Sequence, residues 1–181
     1  MNSHNSLDSG HWVFGYGSLI YKVDFPFKSR EEAVLHGWSR RFWQGSHDHR
    51  GTPESPGRVV TLIPDSTAIC RGVIYLVEED VFQHLDHREK NGYRRHESSF
   101  FLPGRQQTVE GTVYVADESN PAFLGPDSDE AIAQHIARSH GPSGSNAEYL
   151  LKLAVALRDL GEDDPHVNAL ERELLALEVR A

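Results

Sequence analysis

The stretch Trp12-Val-Phe-Gly-Tyr-Gly-Ser-Leu-Ile20 sets the fold, because an apolar strand runs directly into a tyrosine flanked by two glycines. Glycine has no Cβ to obstruct a ligand, and its backbone angles let neighbouring N–H groups point toward one atom. The stretch therefore predicts a pocket lined by Gly15 and Gly17. The alternative is a bulge or a plain strand end, with Tyr16 packed in the core. The run lacks the lysine of a phosphate-binding loop and the third glycine of G-x-G-x-x-G, which disfavours nucleotide binding.

Length and charge limit the function classes. The 181 residues predict a disordered N-terminal extension, 1–11, and a single domain, 12–181. A formal net charge of −9 argues against nucleic-acid and membrane-surface partners, since both attract basic proteins. No segment has the apolar length of a membrane span, and the first residues have no signal-peptide core. The single Cys70 predicts a buried thiol in a reducing compartment, so we expect a cytoplasmic protein.

The first two thirds of the chain read as strands. Short runs rich in Val, Ile, Tyr, Phe and Trp alternate with Gly, Pro, Asp and Asn, as is typical of β structure. A short helix is expected around Glu79–Arg88. The predicted strands are Val13–Tyr16, Val34–Gln44, Arg58–Ile63, Arg71–Val77, Arg94–Leu102 and Val109–Ala116. They indicate a mixed or antiparallel sheet curled into a small barrel.

The chain after Pro126 has helical periodicity instead. Apolar residues recur at spacings of three and four, which predicts two or three helices packed on the sheet and an α+β fold. Asp127 or Ser128 is expected to cap the first helix, Gly141-Pro142 to end it, and Gly161 to end the second. Asp164-Pro165 is expected to open a last helix, Pro165–Val179, with a leucine stripe on its core face.

Glu89 is the acid of most interest. It lies where the short helix runs out toward Asn91-Gly92, a C-terminal turn pattern. A helix end that faces a sheet fixes the position of a carboxylate, which suits a general acid or base. The alternative is that Glu89 is one more solvated acid beside Asp86, Arg88 and Lys90. The long loop Gly45–Gly57 is a second place where function is expected, because long loops in compact domains tend to be functional.

Two other kinds of catalytic site, a metal centre and a serine nucleophile, have less support in the sequence. His47 and His49 in the loop, and His84 and His87 one helical turn apart, raise a metal-dependent hydrolase as a competing hypothesis, yet the spacing of a zinc site is missing. We therefore predict no metal. Ser18 also lacks the G-x-S-x-G elbow of serine hydrolases, so it is expected to donate or accept a hydrogen bond.

A basic and aromatic cluster occurs at Arg40-Arg-Phe-Trp-Gln44. Strand alternation places Arg41 and Trp43 on one face and Phe42 and Gln44 on the other. The acidic charge of the chain and the shortage of further basic patches disfavour stacking on nucleic-acid bases. One face filling the barrel, with polar groups on the other, is the simpler interpretation.

Taken together, ordered blocks along about residues 12–175 resemble the ChaC-type glutathione-specific γ-glutamylcyclotransferases. The blocks are Val13-Phe-Gly-Tyr-Gly-Ser-Leu-Ile20, Val23-Asp-Phe-Pro26, Arg40-Arg-Phe-Trp-Gln-Gly-Ser46, Asp48-His-Arg-Gly51, Pro56-Gly-Arg-Val-Val-Thr-Leu62, Arg88-Glu-Lys90 with Gly92-Tyr93, Asn120-Pro121, Phe123-Leu-Gly-Pro126, Gly141-Pro-Ser-Gly144 and Glu148-Tyr-Leu150. Tyr21 stands where tryptophan is expected. Asp80 occupies a position where relatives can carry a glutamate, so it either assists with substrate or caps the helix.

The resemblance implies an enzyme of the γ-glutamylcyclotransferase-like fold that needs no cofactor. Glu89 is then the catalytic acid/base, and the loop Val13, Phe14, Gly15, Tyr16, Gly17 and Ser18 binds the γ-glutamyl group. The N–H groups around Tyr16, Gly17 and Ser18 are candidate oxyanion donors. Arg41 or Arg58 is expected to pair with the glycine carboxylate of glutathione, although either can instead be structural.

Two further interpretations stay open within this resemblance. One is a cyclotransferase that acts on other γ-glutamyl amines, and the other is a non-catalytic protein that binds a γ-glutamyl ligand on the same fold. In each case the partner is a small molecule, with neither nucleic acid nor membrane involved. We expect a monomer or a weak homodimer.

Overall fold

A computed structural model describes residues 9–89 and 92–180 of the chain. Residues 1–8 of the predicted extension, and Lys90 and Asn91 of the predicted turn, lie outside the described residues. The first strand begins at His11, which is paired with Val77.

The strands are β1 (His11–Gly15), β2 (Ser29–Ser46), β3 (Gly57–Val77), β4 (Arg94–Leu102), β5 (Gln107–Val115), β6 (His140–Gly141) and β7 (Gly144–Ser145). The first five form a closed barrel in the order β1-β3-β2-β4-β5. β1 is antiparallel to β3, with Gly15 opposite Val73, and parallel to β5, with Val13 opposite Thr112. A separate pair, β6 and β7, forms a small hairpin. The predicted α+β class and curled barrel are confirmed.

One strand prediction was wrong. Arg58–Ile63 and Arg71–Val77 are not two strands but parts of the single 21-residue β3. The polar stretch from Pro64 to Thr67 resembles a turn in sequence. In the structure it stays extended and is exposed except for the partly buried Asp65, which accepts hydrogen bonds from the backbone N–H and hydroxyl of Thr67. The polar composition reflects solvent exposure of an extended segment.

The helices are α1 (Glu79–Glu89), α2 (Asp129–Arg138), α3 (Asn146–Asp159) and α4 (Pro165–Arg180). Ser128 caps α2 by accepting a hydrogen bond from Ala131 N–H at 3.1 Å, and Asp164 accepts from His166 and Val167 at the start of α4. Gly161, with φ of 77°, follows α3 as predicted. These four helices of the described residues all lack the length and apolar character that a membrane crossing requires.

The predicted end of α2 was wrong. The helix ends at Arg138 and not at Gly141-Pro142, because Ser139 adopts an extended conformation and its hydroxyl donates to the carbonyl oxygen of His135. His140 and Gly141 then form β6.

The structure divides into two compact units. Of the described residues, the first unit comprises those up to Trp38 together with those between Pro64 and Val115, and the second comprises Ser39–Ile63 together with those from Ala116 onward. Aromatic side chains fill the core of the first unit, where Phe14 and Phe100 have ring centroids 4.9 Å apart. In the second unit the described helices pack on one another through residues such as Ile132, Leu153 and Leu170. Cys70 is buried, as predicted. The single domain 12–181 stays a prediction.

Candidate active site

The glycine-rich run occupies the end of β1 in the first unit. Val13 and Phe14 are buried, and Gly15 ends the strand before a single 3₁₀ turn, Ser18–Ile20. A Cβ added to Gly15 would lie 2.6 Å from Leu19 Cβ. A Cβ added to Gly72 on β3 would lie 2.3 Å from the carbonyl oxygen of Gly15. Close packing between chain segments therefore accounts for glycine at position 15 without a ligand.

The turn leaves two adjacent backbone donors available. Its carbonyl oxygens are used, since Gly17 accepts from Ile20 N–H at 3.0 Å and Ser18 accepts from Lys22 N–H at 2.8 Å. Within the described residues, the N–H groups of Gly17 and Ser18 make no hydrogen bond. Gly17 is buried and Ser18 is exposed. The strand end thus presents two neighbouring donors of the kind that stabilise an oxyanion.

Side chains of the barrel hold this loop in place. The Tyr16 hydroxyl donates to the carbonyl oxygen of Tyr114 on β5 at 2.6 Å, and both residues are buried. On the other side of the turn, Arg30 donates to the carbonyl oxygen of Ile20 at 3.0 Å and to the Tyr75 hydroxyl at 3.2 Å. The loop is therefore anchored at both ends.

Glu89 is the last residue of α1, also in the first unit. Its side chain is 31% exposed, and one carboxylate oxygen lies 3.4 Å from Nε of Arg88. Arg88 in turn pairs with Asp24 at 3.0 Å. Beyond the helix, Tyr93 N–H donates to the Glu89 carbonyl oxygen, and Gly92 has a φ of 126°, which fits the predicted C-terminal turn. Glu89 is thus a partly exposed acid at a fixed helix end.

Tyr114 lies between the loop and the helix. Its backbone carbonyl accepts from Tyr16, and its hydroxyl donates to Asp86 Oδ1 at 2.9 Å, one turn before Glu89. Burial raises the pKa of Tyr114, and the hydrogen bond to Asp86 and the negative charges of Asp86 and Glu89 raise it further. Glu89 ends the same helix, three residues after Asp86. Tyr114 therefore contacts both the loop, through Tyr16, and α1, the helix that ends at Glu89.

Asp86 and Tyr114 were missed by the sequence analysis, which grouped Asp86 with solvated acids. Asp86 is buried, and Arg95 NH1 lies 3.4 Å from its Oδ1. Arg95 also stacks over the Phe82 ring at 5.0 Å. The only sequence signal was the spacing of three between Asp86 and Glu89, which places both on one side of the helix.

Arg41 and Arg58 belong to the second unit. Alternation along β2 is as predicted, since Phe42 and Gln44 are buried and Arg41 and Trp43 are partly exposed. Arg58 is buried, and its NH1 donates to the carbonyl oxygens of Phe42 and Gly125, each at 2.9 Å. Burial lowers the pKa of Arg58. Arg41 donates to the Arg40 carbonyl oxygen at 2.8 Å. The contacts of Arg58 thus explain an arginine at position 58 by packing alone, whereas the contact of Arg41 does not explain an arginine at position 41.

The loop Gly45–Gly57 is tied down within the second unit. Arg50 is buried and donates to the Ser145 carbonyl oxygen at 3.0 Å. Ser143 N–H donates to the His49 carbonyl oxygen at 2.9 Å, so the loop is bonded to the β6–β7 hairpin.

Other groups singled out from sequence are exposed. His47, His49, His84 and His87 are all exposed, as is Asp80 in the first turn of α1. Across residues 9–89 and 92–180, no three side chains from His, Cys, Asp and Glu come together to hold a metal ion. The absence of a metal or cofactor stays a prediction.

Comparison with known proteins gives a consistent picture. The ChaC-like protein family matches residues 11–177. The chain is 44% identical over 179 residues to glutathione-specific gamma-glutamylcyclotransferase 1 of Danio rerio, covering 93% of this chain and 90% of that protein. It is 38% identical over 203 residues to the glutathione-specific gamma-glutamylcyclotransferase of Saccharomyces cerevisiae, covering 84% and 88%.

Solved structures agree. A crystal structure of the gamma-glutamylcyclotransferase specific to glutathione from yeast matches with a TM-score of 0.85 and 35% identity, covering 93% of this chain and 97% of that chain. A gamma-glutamyl cyclotransferase structure at 15% identity has a TM-score of 0.56, over 89% and 86% of the two chains, which indicates the shared fold only.

Proposed function

The chain belongs to the ChaC-like protein family, and we propose that it is a glutathione-specific γ-glutamylcyclotransferase. The enzyme is a lyase that converts glutathione to 5-oxoproline and cysteinylglycine. The α-amine nitrogen of the γ-glutamyl group attacks its own γ-carbonyl carbon. The new C–N bond closes a five-membered lactam, and the amide bond to cysteine breaks.

Glu89 is our candidate for the single acid/base. The attacking amine must lose a proton, and the departing amine must gain one, so one carboxylate can perform both transfers in turn. The observation that carries this proposal is the shared contact at Tyr114, whose carbonyl oxygen accepts from Tyr16 of the loop and whose hydroxyl donates to Asp86 of α1, three residues before Glu89.

The loop Val13–Ser18 is proposed to bind the γ-glutamyl group. As the amine attacks, the γ-carbonyl oxygen becomes an oxyanion that needs donors fixed in advance. The N–H groups of Gly17 and Ser18 make no hydrogen bond within the described residues and belong to an anchored turn. They are therefore our candidate donors.

Arg41 is our candidate for pairing with the glycine carboxylate. Its guanidinium donates to the Arg40 carbonyl oxygen, which leaves further N–H groups for a carboxylate. Arg58 is buried and its NH1 is engaged by two carbonyl oxygens, so we assign it to the stability of the second unit.

We further propose that the protein uses no cofactor or metal, acts in the cytoplasm, and is a monomer or weak homodimer without nucleic-acid or membrane partners. Sedimentation across a concentration series would measure the oligomeric state. Turnover after exhaustive chelation would distinguish the proposed chemistry from a metal-dependent hydrolase.

The decisive test of Glu89 is Glu89→Gln, which keeps the shape of the side chain and removes its ability to take a proton. We expect kcat for 5-oxoproline release from glutathione to fall by about 10²–10⁴, the usual contribution of general acid–base catalysis. The matched control is Glu130→Gln, at an exposed carboxylate in the first turn of α2. A folded Glu89→Gln protein with the wild-type rate would contradict the assignment.

A substrate series tests specificity. Release of 5-oxoproline is followed with reduced glutathione, oxidised glutathione and other γ-glutamyl amines. Turnover of reduced glutathione above the rest is expected. Comparable turnover of several γ-glutamyl amines would favour the broader cyclotransferase, and binding of glutathione without turnover would favour a non-catalytic ligand-binding protein.

A further inference from the structure

A buried polar link joins the two parts of the proposed site. Tyr114 uses its backbone carbonyl for Tyr16 and its hydroxyl for Asp86, at 2.6 Å and 2.9 Å. All three residues are at least nine-tenths buried, with exposures of 8% for Tyr16, 7% for Tyr114 and 6% for Asp86. Hydrogen bonds in such surroundings have fixed geometry, because water does not compete for the donors and acceptors.

The link reaches Glu89 through the helix. Asp86 and Glu89 are three residues apart, so their side chains lie on the same side of α1. Arg95 from β4 approaches Asp86 at 3.4 Å, which gives the buried carboxylate a second partner. The charges that act on the Tyr114 hydroxyl are those of Asp86, which accepts its hydrogen bond, and of Arg95 and Glu89. The contacts that fix the Asp86 side chain therefore also fix the last turn of α1.

We infer that Asp86 and Tyr114 are positioning residues that fix the Glu89 carboxylate relative to the loop Tyr16–Ser18. This inference rests on the proposed function, in which Glu89 moves the proton and the loop binds the γ-glutamyl group. Neither Asp86 nor Tyr114 is assigned a contact with substrate. Intramolecular attack needs the base and the oxyanion donors in register with one folded conformer of the substrate, and a displacement of about 1 Å lowers rates by about 10²-fold.

The first test is Tyr114→Phe, which removes the hydroxyl and keeps the ring and the backbone carbonyl. We expect kcat to fall about tenfold or more with KM changed by less than about twofold, because the substrate contacts stay in place while the proton transfer loses its geometry. The kcat–pH profile is also expected to shift, since the last turn of α1, which ends at Glu89, loses the hydrogen bond between Tyr114 and Asp86. The matched control is Ser139→Ala, which deletes another buried hydroxyl hydrogen bond, in the second unit.

A second pair of variants separates positioning from charge and covers a failure of Tyr114→Phe to fold. Asp86→Asn keeps an oxygen that accepts from Tyr114, whereas Asp86→Ala removes the acceptor. We expect Asp86→Asn to retain more of the wild-type kcat than Asp86→Ala. Equal losses in the two variants would overturn the inference, as would a folded Tyr114→Phe protein with wild-type kcat, KM and pH profile.

Hydrogen exchange tests the inference without a measurement of turnover. Amide exchange in the last turn of α1, measured without substrate, is expected to be faster in Tyr114→Phe than in the wild type and unchanged in Ser139→Ala. Unchanged exchange in Tyr114→Phe would overturn the positioning link. Faster exchange in a protein whose wild type releases no 5-oxoproline would support the link and reject the proposed function.

Discussion

His166 makes the stability of the second unit dependent on pH. It lies in the first turn of α4, and its Nε2 accepts a hydrogen bond from Phe42 N–H at 2.9 Å, so the ring must be neutral at that nitrogen. Burial, aided by the nearby positive charge of Arg41, lowers the pKa of His166 from 6.5 to about 4. Between these two pKa values, the His166 ring is therefore mostly neutral in the folded protein and mostly protonated in the unfolded chain.

The sign and magnitude of the effect of pH on stability follow from the difference in the pKa of His166 between the folded and unfolded states. Between pH 6.5 and pH 4 the unfolded state binds more protons than the folded state, so the free energy of unfolding decreases as the pH falls. A difference of about 2.5 pKa units corresponds to about 3 kcal/mol, fully lost below pH 4 and fully retained above pH 7. Within this window the slope approaches about 1.4 kcal/mol per pH unit.

The assay compares the wild type with His166→Gln, whose side-chain oxygen can accept the Phe42 N–H without titrating. Urea unfolding at several pH values from 7 to 4.5 gives the free energy of unfolding of each protein, and the comparison removes the contribution of carboxyl groups common to both. We expect the wild type to lose about 2–3 kcal/mol more than His166→Gln over this range. Parallel pH dependence in the two proteins would refute the reasoning.

Two further predictions concern the proposed site. Gly15→Ala places a Cβ 2.6 Å from Leu19 Cβ, so we expect a loss of about 1–3 kcal/mol in urea unfolding and reduced 5-oxoproline release, whereas Gly104→Ala, where a Cβ meets open space, should be close to wild type. A Gly15→Ala protein as stable and active as Gly104→Ala would contradict the packing argument. Arg41→Gln removes the proposed partner of the glycine carboxylate, so KM for glutathione should rise roughly tenfold or more with kcat unchanged, while Arg172→Gln, at an exposed arginine of α4, leaves KM as it is. An unchanged KM in Arg41→Gln would remove that role.

Much of the strand pattern was predictable because the polarity of a side chain indicates whether it is buried or exposed. Arg94–Leu102 was predicted with its observed bounds, since the segment ends in the apolar run Phe100-Phe101-Leu102, of which Phe100 and Leu102 are buried. The prediction for the middle of β3 was wrong for the same reason. Pro64–Thr67 is mostly exposed to solvent, so its composition is that of a turn although its backbone is extended. Closure of the barrel by the parallel contact of Val13 with Thr112 has no local signature, since it joins residues far apart in sequence.

The candidate site was partly predictable in the same sense. Glu89 and the glycine-rich run stand out through the local turn patterns around them. Tyr114 does not, because it looks like any aromatic residue of a strand, and its role depends on two partners from other elements. Arg41 and Arg58 were indistinguishable in sequence, and the contrast between them comes from the carbonyl oxygens that surround Arg58.

The proposed reaction explains why the site has few chemical groups and many positioning contacts. The nucleophile is already tethered to its electrophile, and well-oriented intramolecular reactions reach effective molarities of about 10⁵–10⁸ M. One carboxylate and two backbone donors then suffice, provided that their relative positions are exact. Precision of this kind must come from buried hydrogen bonds to rigid elements, which is the role that Tyr114 fills between the end of β1 and the end of α1.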